Sequence, residues 1–148
     1  MKKIVLLLIL IISFSGFSQI HDPVKWSTSV KKISNSEYEL IVTAIIENGW
    51  HLYSQTVPKD GPIATTFIYK TDKNYLKKGN TKEGKGYTVD DKVFNMRIKY
   101  FEKKAYFKQR IKVKSNNKFT VNGIVEFMVC NDVSCLAPKE VDLEFKIN

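Results

Sequence analysis

The most regular hydrophobic pattern lies near the C-terminus, where Val141-Asp-Leu-Glu-Phe-Lys-Ile147 alternates apolar and charged residues without a fault. A period of two sends successive side chains to opposite faces, which predicts a strand with one face buried and the other wet. Ala105, Phe107, Ile111 and Val113 share one parity, while Tyr106, Lys108, Arg110, Lys112 and Lys114 occupy the other. Tyr38–Ile46 is rich in β-branched residues. Ile124–Cys130 is nearly continuous apolar, which predicts a strand covered on both faces. Shorter strands are expected at Val24–Ser29, Trp50–Ser54, Thr66–Tyr69, Arg97–Phe101 and Lys118–Val121. Turn residues fall between them at Asn48-Gly49, Lys59-Asp-Gly-Pro62, Lys78-Gly-Asn80, Gly84-Lys-Gly86 and Ser115-Asn-Asn117. Asp72 to Asp91 has no strand signal and many Gly and Lys, which predicts a surface excursion. No segment of ten or more residues has the apolar spacing of a helix, and no internal repeat is evident. The pattern predicts an all-β fold, an antiparallel β-sandwich of immunoglobulin-like type, with a closed barrel as second choice.

The N-terminal stretch stands apart from this pattern. Lys2 and Lys3 precede an unbroken apolar run, Ile4 to Ile12, and Gly16 and Ser18 place small side chains three and one positions before a cut after Ser18. That layout predicts a cleaved secretory signal over residues 1–18 and a mature domain over 19–148. The apolar run is about half the ~20 residues a membrane helix needs. With no cysteine after it, a lipoprotein anchor is unsupported, and no later run is long enough to span a bilayer. The expected product is periplasmic or secreted, and not membrane-spanning.

Composition narrows the function. The chain has 148 residues, 43% hydrophobic, with two Cys, two His, four Pro and seven Gly. Those counts exclude a disulfide-dense miniprotein, a collagen-like chain, a disordered tail and a Cys/His zinc module. The net charge of +9 becomes +7 without Lys2 and Lys3. Export argues against nucleic acid as a partner, and the lysines are scattered rather than interleaved with a stacking motif, so a solvated basic surface is expected.

Candidate chemistry rests on Cys130 and Cys135, separated by Asn131-Asp-Val-Ser134 and followed by Leu136-Ala-Pro138. One predicted strand runs into Cys130 and another leaves after Glu140, so the pair is expected at the tip of a hairpin, close enough to bond. An oxidising compartment permits the bond. A loop this short gains only about 2 kcal/mol of chain entropy, and the flanking strands already hold its ends together. Spacing alone leaves both a structural staple and a redox-active pair open. His51 with two thiolates falls one ligand short of a closed zinc site. A soft Cu(I) site using both thiolates, with Met96 or Met128 as thioether neighbours, is a weaker alternative. Hydrolytic chemistry lacks a visible nucleophile–histidine–carboxylate set.

Gly49-Trp-His-Leu-Tyr-Ser-Gln55, Asp60-Gly-Pro-Ile-Ala-Thr65, Asp91–Phe94 and Cys130-(x4)-Cys135-Leu-Ala-Pro138 occur in that order. Together they resemble the N-terminal periplasmic domain of the thiol-disulfide reductase DsbD, the disulfide bond corrector domain. The resemblance spans essentially the whole mature chain. It implies an immunoglobulin-like sandwich whose cysteine pair takes electrons from a membrane-bound donor. The pair then passes them to periplasmic thioredoxin-fold partners, including cytochrome c maturation factors, without a cofactor or bound metal. Carried over by position, Cys130 and Cys135 are the active pair, with Cys135 expected to form the mixed disulfide. Tyr53 matches an aromatic beside the cysteines, and His51 stands where the best-known members have Tyr. Asp91 and Phe94 fall in an acidic, aromatic cap loop, where Lys92 replaces an acid and Val93 competes with Phe94 as the capping residue. An aromatic lid would admit cognate partners and exclude other thiolates. Full reductases continue into membrane helices and a thioredoxin-like domain. This sequence stops at Asn148, so the expectation is a free-standing carrier, one working with separately encoded partners, or one that has lost the activity. The rival expectation is a non-enzymatic binding or adhesion sandwich with a structural disulfide.

Overall fold

Alternating sequence becomes alternating burial. The computed structural model describes residues 21–114 and 117–148, so the expected signal peptide lies outside the described residues. In chain order the strands are β1 (Val24–Lys32), β2 (Glu37–Ile46), β3 (His51–Tyr53), β4 (Thr66–Tyr69), β5 (Tyr75–Glu83), β6 (Tyr87–Asp91), β7 (Met96–Phe101), β8 (Lys104–Val113), β9 (Phe119–Phe127), β10 (Val129–Cys130) and β11 (Lys139–Ile147). In β8 every second residue from Ala105 to Val113 is buried and the intervening residues are exposed. Among the described residues there is no helix.

The strands form three antiparallel sheets, ordered β1-β2-β8-β5, β10-β3-β7-β6 and β11-β9-β4. The first sheet supplies Leu40, Val42, Phe107 and Ile111 to the main core; Leu52, Phe101 and Val129 come from the second, and Val125 and Phe145 from the third. This is a two-layer β-sandwich of immunoglobulin-like type, with the second and third sheets together opposing the first. Trp26 of β1 knits the layers, its ring centroid lying 6.0 Å from Phe107, 5.1 Å from Phe127 and 6.3 Å from Phe67.

The Asp72–Asp91 stretch corrects the sequence expectation: it contains β5 and β6 rather than a strandless excursion. Both are edge strands, and a strand paired on one side needs little apolar patterning. In β5 only Tyr75 is buried, and the register against β8 shifts between Lys78 and Lys82, which breaks any period of two. Gly79 sits in this bulge with φ +65°, a conformation that favours glycine. The buried Gln109 holds the bulge. Its amide nitrogen donates to the Lys78 and Gly79 carbonyls, and its oxygen accepts from the Thr81 hydroxyl. At Gly86, just before β6, a Cβ would stand 2.6 Å from the Tyr100 carbonyl, so glycine permits the close approach to β7.

A second difference concerns the run Lys118–Cys130. One strand, β9, crosses Asn122-Gly123, and the chain then breaks step at Met128. β9 pairs with β11 from Phe119↔Ile147 to Phe127↔Lys139, so the expected hairpin is present. Its connection does more than turn: β10 leaves for the second sheet, pairing Val129 with Leu52 and Cys130 with His51.

Candidate functional site

The second sheet is two-faced, and parity assigns its residues. Leu52, Phe101 and Val129 point into the main core, while Tyr53, Ile98, Tyr100 and Cys130 form a separate buried cluster on the other face. Phe94, Met96, Met128, Val57, Val89 and Cys135 pack against that cluster. Cys130 and Cys135 are disulfide-bonded with Cα atoms 4.0 Å apart. Cys130 is fully buried and Cys135 half-buried, so one sulfur-bearing residue belongs to the cluster and the other to its surface.

The loop between the cysteines is held by its own backbone and by Asn131. The Asn131 amide donates to the Ser134 carbonyl, and the Asn131 Oδ1 accepts from the backbone N–H groups of Val133 (2.9 Å) and Ser134 (2.8 Å). Such side-chain capture of nearby amides is the reason Asn favours turns. Leu136 N–H donates to the Val129 carbonyl, closing the loop behind the disulfide. Val133, at the loop's tip, is 89% exposed.

The β6–β7 connection repeats the device with a carboxylate. Asp91 Oδ1 accepts from the backbone N–H groups of Val93 (2.9 Å) and Phe94 (3.0 Å), and Oδ2 accepts from the Tyr53 hydroxyl (3.1 Å). Asp91 is therefore no exposed turn residue but a buried one, 7% exposed, that ties the loop to β3. Phe94 meets Tyr53 edge-to-face, centroids 5.8 Å apart at 90°, a favoured aromatic geometry. Burial, with the Asp91 charge and hydrogen bond, pushes the Tyr53 hydroxyl far above its ordinary value, so it stays a donor. Of the two residues weighed for the cap position, Phe94 packs against the cysteine cluster and Val93 is 41% exposed.

His51 lies opposite Cys130 in register and stacks on Tyr100, ring centroids 4.2 Å apart at 10°. Its Nε2 lies 3.2 Å from Glu102 Oε1. Between the two turns opens a cavity of about 260 Å³ whose lining includes His51, Tyr100, Asp91, Val93, Asn131 and Asp132. The structure thus brings together all six residues singled out from the sequence. Cys130, Cys135, Tyr53 and Phe94 share the cluster, Asp91 bonds two of its members, and His51 stacks on a third.

A polar node beneath the site was not visible in the sequence. Glu83 of β5 accepts from the Ser54 hydroxyl (2.7 Å), the Gln55 N–H (2.8 Å) and Lys99 Nζ (2.7 Å). It anchors the chain just after Tyr53 to both neighbouring sheets. Burial pushes the Glu83 carboxyl up, but Lys99, the Gln55 amide and the Ser54 hydroxyl together outweigh it and hold the group below its ordinary value. Glu83 stands in the lysine-rich stretch without strand signal, where nothing in the pattern marks it as half-buried. Among the described residues no group of three or more His, Cys, Asp or Glu is arranged to hold a metal ion.

Comparison with known proteins agrees with this architecture. The structure is similar to the reduced N-terminal domain of DsbD from Neisseria meningitidis, with a TM-score of 0.54 and 16% identity, covering 86% of this chain and 89% of that one. It is also similar to the N-terminal periplasmic domain of ScsB from Proteus mirabilis, with a TM-score of 0.53 and 17% identity, covering 82% of this chain and 44% of that one. At these identities the likeness establishes the fold. No curated protein sequence matches the chain significantly. A family model matches residues 22–146, nearly the whole described chain, and the protein belongs to the family described as thiol:disulfide interchange protein DsbD, N-terminal.

Proposed function

We propose that this protein is a periplasmic thiol-disulfide exchange module whose working states are the dithiol and disulfide forms of Cys130 and Cys135. The observation that carries the reading is the asymmetry of the pair. Cys130 is buried, Cys135 reaches the surface, and Phe94 packs over the cluster that contains them. A staple for the sandwich would join distant strands, whereas this bond closes a separation of five residues already held by the Asn131 turn and the Leu136–Val129 hydrogen bond.

Exchange begins with a partner thiolate attacking Cys135 Sγ. The Cys130–Cys135 bond breaks, Cys130 leaves as thiolate and takes a proton, and the partner is held through a mixed disulfide to Cys135. The partner's second thiol attacks its own bonded sulfur and releases Cys135. The partner ends as a disulfide, and the pair has gained two electrons and two protons. Onward transfer reverses the sequence: the Cys135 thiolate attacks an oxidised partner and Cys130 resolves the mixed disulfide. The donor is a membrane-bound dithiol and the acceptors are thioredoxin-fold proteins. Asp91 holds the cap, Phe94 and Tyr53 exclude stray thiolates, and His51 supports the aromatic floor through Tyr100. Periplasmic placement is supported by the expected signal over residues 1–18 and by the similarity to a periplasmic domain.

Trapping tests the reading. Cys130→Ser leaves Cys135 free to capture a thioredoxin-fold protein from periplasmic extract as a mixed disulfide that a reductant dissolves. A redox titration should place the pair above about −300 mV, the level below which structural disulfides lie. Capture by neither Cys130→Ser nor Cys135→Ser, with a potential below that level, makes the protein a binding sandwich with a structural bond.

A further inference from the structure

Lysines that are scattered along the chain are gathered by the fold. The first sheet, β1-β2-β8-β5, turns one face to the core, and parity sends the alternate side chains outward. From β8 these are Lys104, Tyr106, Lys108, Arg110 and Lys112, all exposed. The register sets Lys25 and Lys31 of β1 and Lys78 and Lys82 of β5 on the same face, in line with outward residues of β2 and β8. The acids among them are Glu37 and Glu39 of β2. Eight basic side chains against two acidic ones give this face a net +6, nearly the whole +7 of the mature chain. The outer face of the third sheet is the reverse: its strands set Glu126, Glu140, Asp142 and Glu144 there with Lys146 as the one base. The bland account is that surface charge keeps the protein soluble. Solubility depends on the amount of charge and gives no reason for its segregation to one layer.

We propose that this basic face lies on a bilayer surface carrying anionic headgroups, leaving free the cysteine pair on the outer face of the opposing layer. Charge complementarity supplies the attraction, and cations near such a surface add to binding individually. Among the cations stand Ile45, Leu76 and Tyr106, each 42–53% exposed on the same face. Apolar and aromatic groups beside basic ones suit the headgroup boundary, where the former enter and the latter pair with phosphate. A hydrophilic polyanion would leave those apolar side chains unused. Within the face opens a cavity of about 360 Å³ whose lining includes Lys78, Lys82, Lys108, Arg110 and Glu39. It lies at the β5 bulge, where the register against β8 shifts between Lys78 and Lys82. Lys78 pairs with Glu37 at 2.7 Å and Lys108 with Glu39 at 3.6 Å. Lys82 and Arg110 have no carboxylate within 4.0 Å among the described residues, so they are available to a headgroup phosphate. The Arg110 guanidinium can hold two of its oxygens at once. None of these residues belongs to the cysteine cluster, so the proposal stands apart from the exchange reading.

The test is co-sedimentation of the mature protein, residues 19–148, with vesicles of equal parts phosphatidylglycerol and phosphatidylcholine, and with vesicles of phosphatidylcholine alone. The protein should sediment with the anionic vesicles and stay in solution with the zwitterionic ones. Salt at about 1 M, where the screening length falls to about 3 Å, should release it, a reading that does not depend on any variant folding. Each cation at an anionic surface is worth about fivefold in binding. Lys82→Gln/Arg110→Gln/Lys112→Gln should therefore bind about 100-fold more weakly. Lys59→Gln/Lys118→Gln/Lys146→Gln removes the same charge outside this face and should bind as the unaltered protein does. Equal sedimentation with both kinds of vesicle, or with neither, overturns the proposal. So does equal weakening by the two triple variants, which would make net charge rather than this face responsible. Retention on heparin without vesicle binding assigns the face to a soluble polyanion instead. Partner trapping by the cysteines reads none of these outcomes, so failure of this surface and failure of the exchange reading are separable.

Discussion

Replacing Asp91 by alanine separates a latch from a mere structural carboxylate. The native side chain accepts three hydrogen bonds, two from the loop that carries Phe94 and one from the fully buried Tyr53 hydroxyl. An orphaned buried donor costs about 1–3 kcal/mol, and each ordinary hydrogen bond contributes about 0.5–1.5 kcal/mol net. Losing the Tyr53 bond and both loop bonds therefore sums to about 2–6 kcal/mol of stability. If about 2 kcal/mol of this held the loop closed, its open population rises about 30-fold. The assay is the rate of Cys130–Cys135 reduction by dithiothreitol, read by thiol quenching, alongside urea unfolding. Asp91→Ala should unfold at lower urea and be reduced up to about 30-fold faster. Asp91→Asn keeps an oxygen for the two loop amides, and its amide can donate to the Tyr53 oxygen. It should lose about 1 kcal/mol and stay close to the native reduction rate. A destabilised Asp91→Ala protein that is reduced at the native rate refutes the latch. Equal acceleration by both variants would assign the effect to the negative charge instead.

Two further outcomes follow from the same geometry. Reducing the disulfide should lower stability by at most about 2 kcal/mol, because the closed loop is so short; a reduced protein that is unfolded by circular dichroism favours the staple. Glu83→Gln should cost about 2 kcal/mol at neutral pH by removing the charge from three hydrogen bonds. The Glu83 carboxyl is held below its ordinary value of 4.5, so its ionised form stabilises the fold above that value and ceases to do so as pH falls through the lower folded value. Urea midpoints of wild type and Glu83→Gln should therefore differ most above about pH 5 and converge in acid. A constant gap across that range removes the ionised node from the account.

Most strands were legible because half-buried strands write their geometry into parity. β11 shows it without a fault and β8 with one polar exception, the buried Gln109, and their buried faces are the ones alternation predicts. β5 and β6 were not, since each pairs along one edge and buries few side chains, so polar residues satisfy the backbone as well as apolar ones. The cysteine pair could be located from its spacing and flanking strands. Its surroundings were legible only through the ordered motifs of a resemblance, since Tyr53, Asp91 and Cys130 are distant in sequence and no local pattern records their meeting. Glu83 went unnoticed for the same reason, lying in a lysine-rich stretch yet half-buried against Ser54 and Lys99.

The amino-acid sequence by itself determined which residues face inward along most strands and that two cysteines five positions apart end one of them. Only the tertiary structure decided that β10 leaves the hairpin for β3, that Asp91 spans from the loop to Tyr53, and that Tyr53, Tyr100 and Cys130 meet in one cluster. Periodicity is a local consequence of backbone geometry. Pairing between distant strands is set by the free energy of the whole chain, which no single segment encodes.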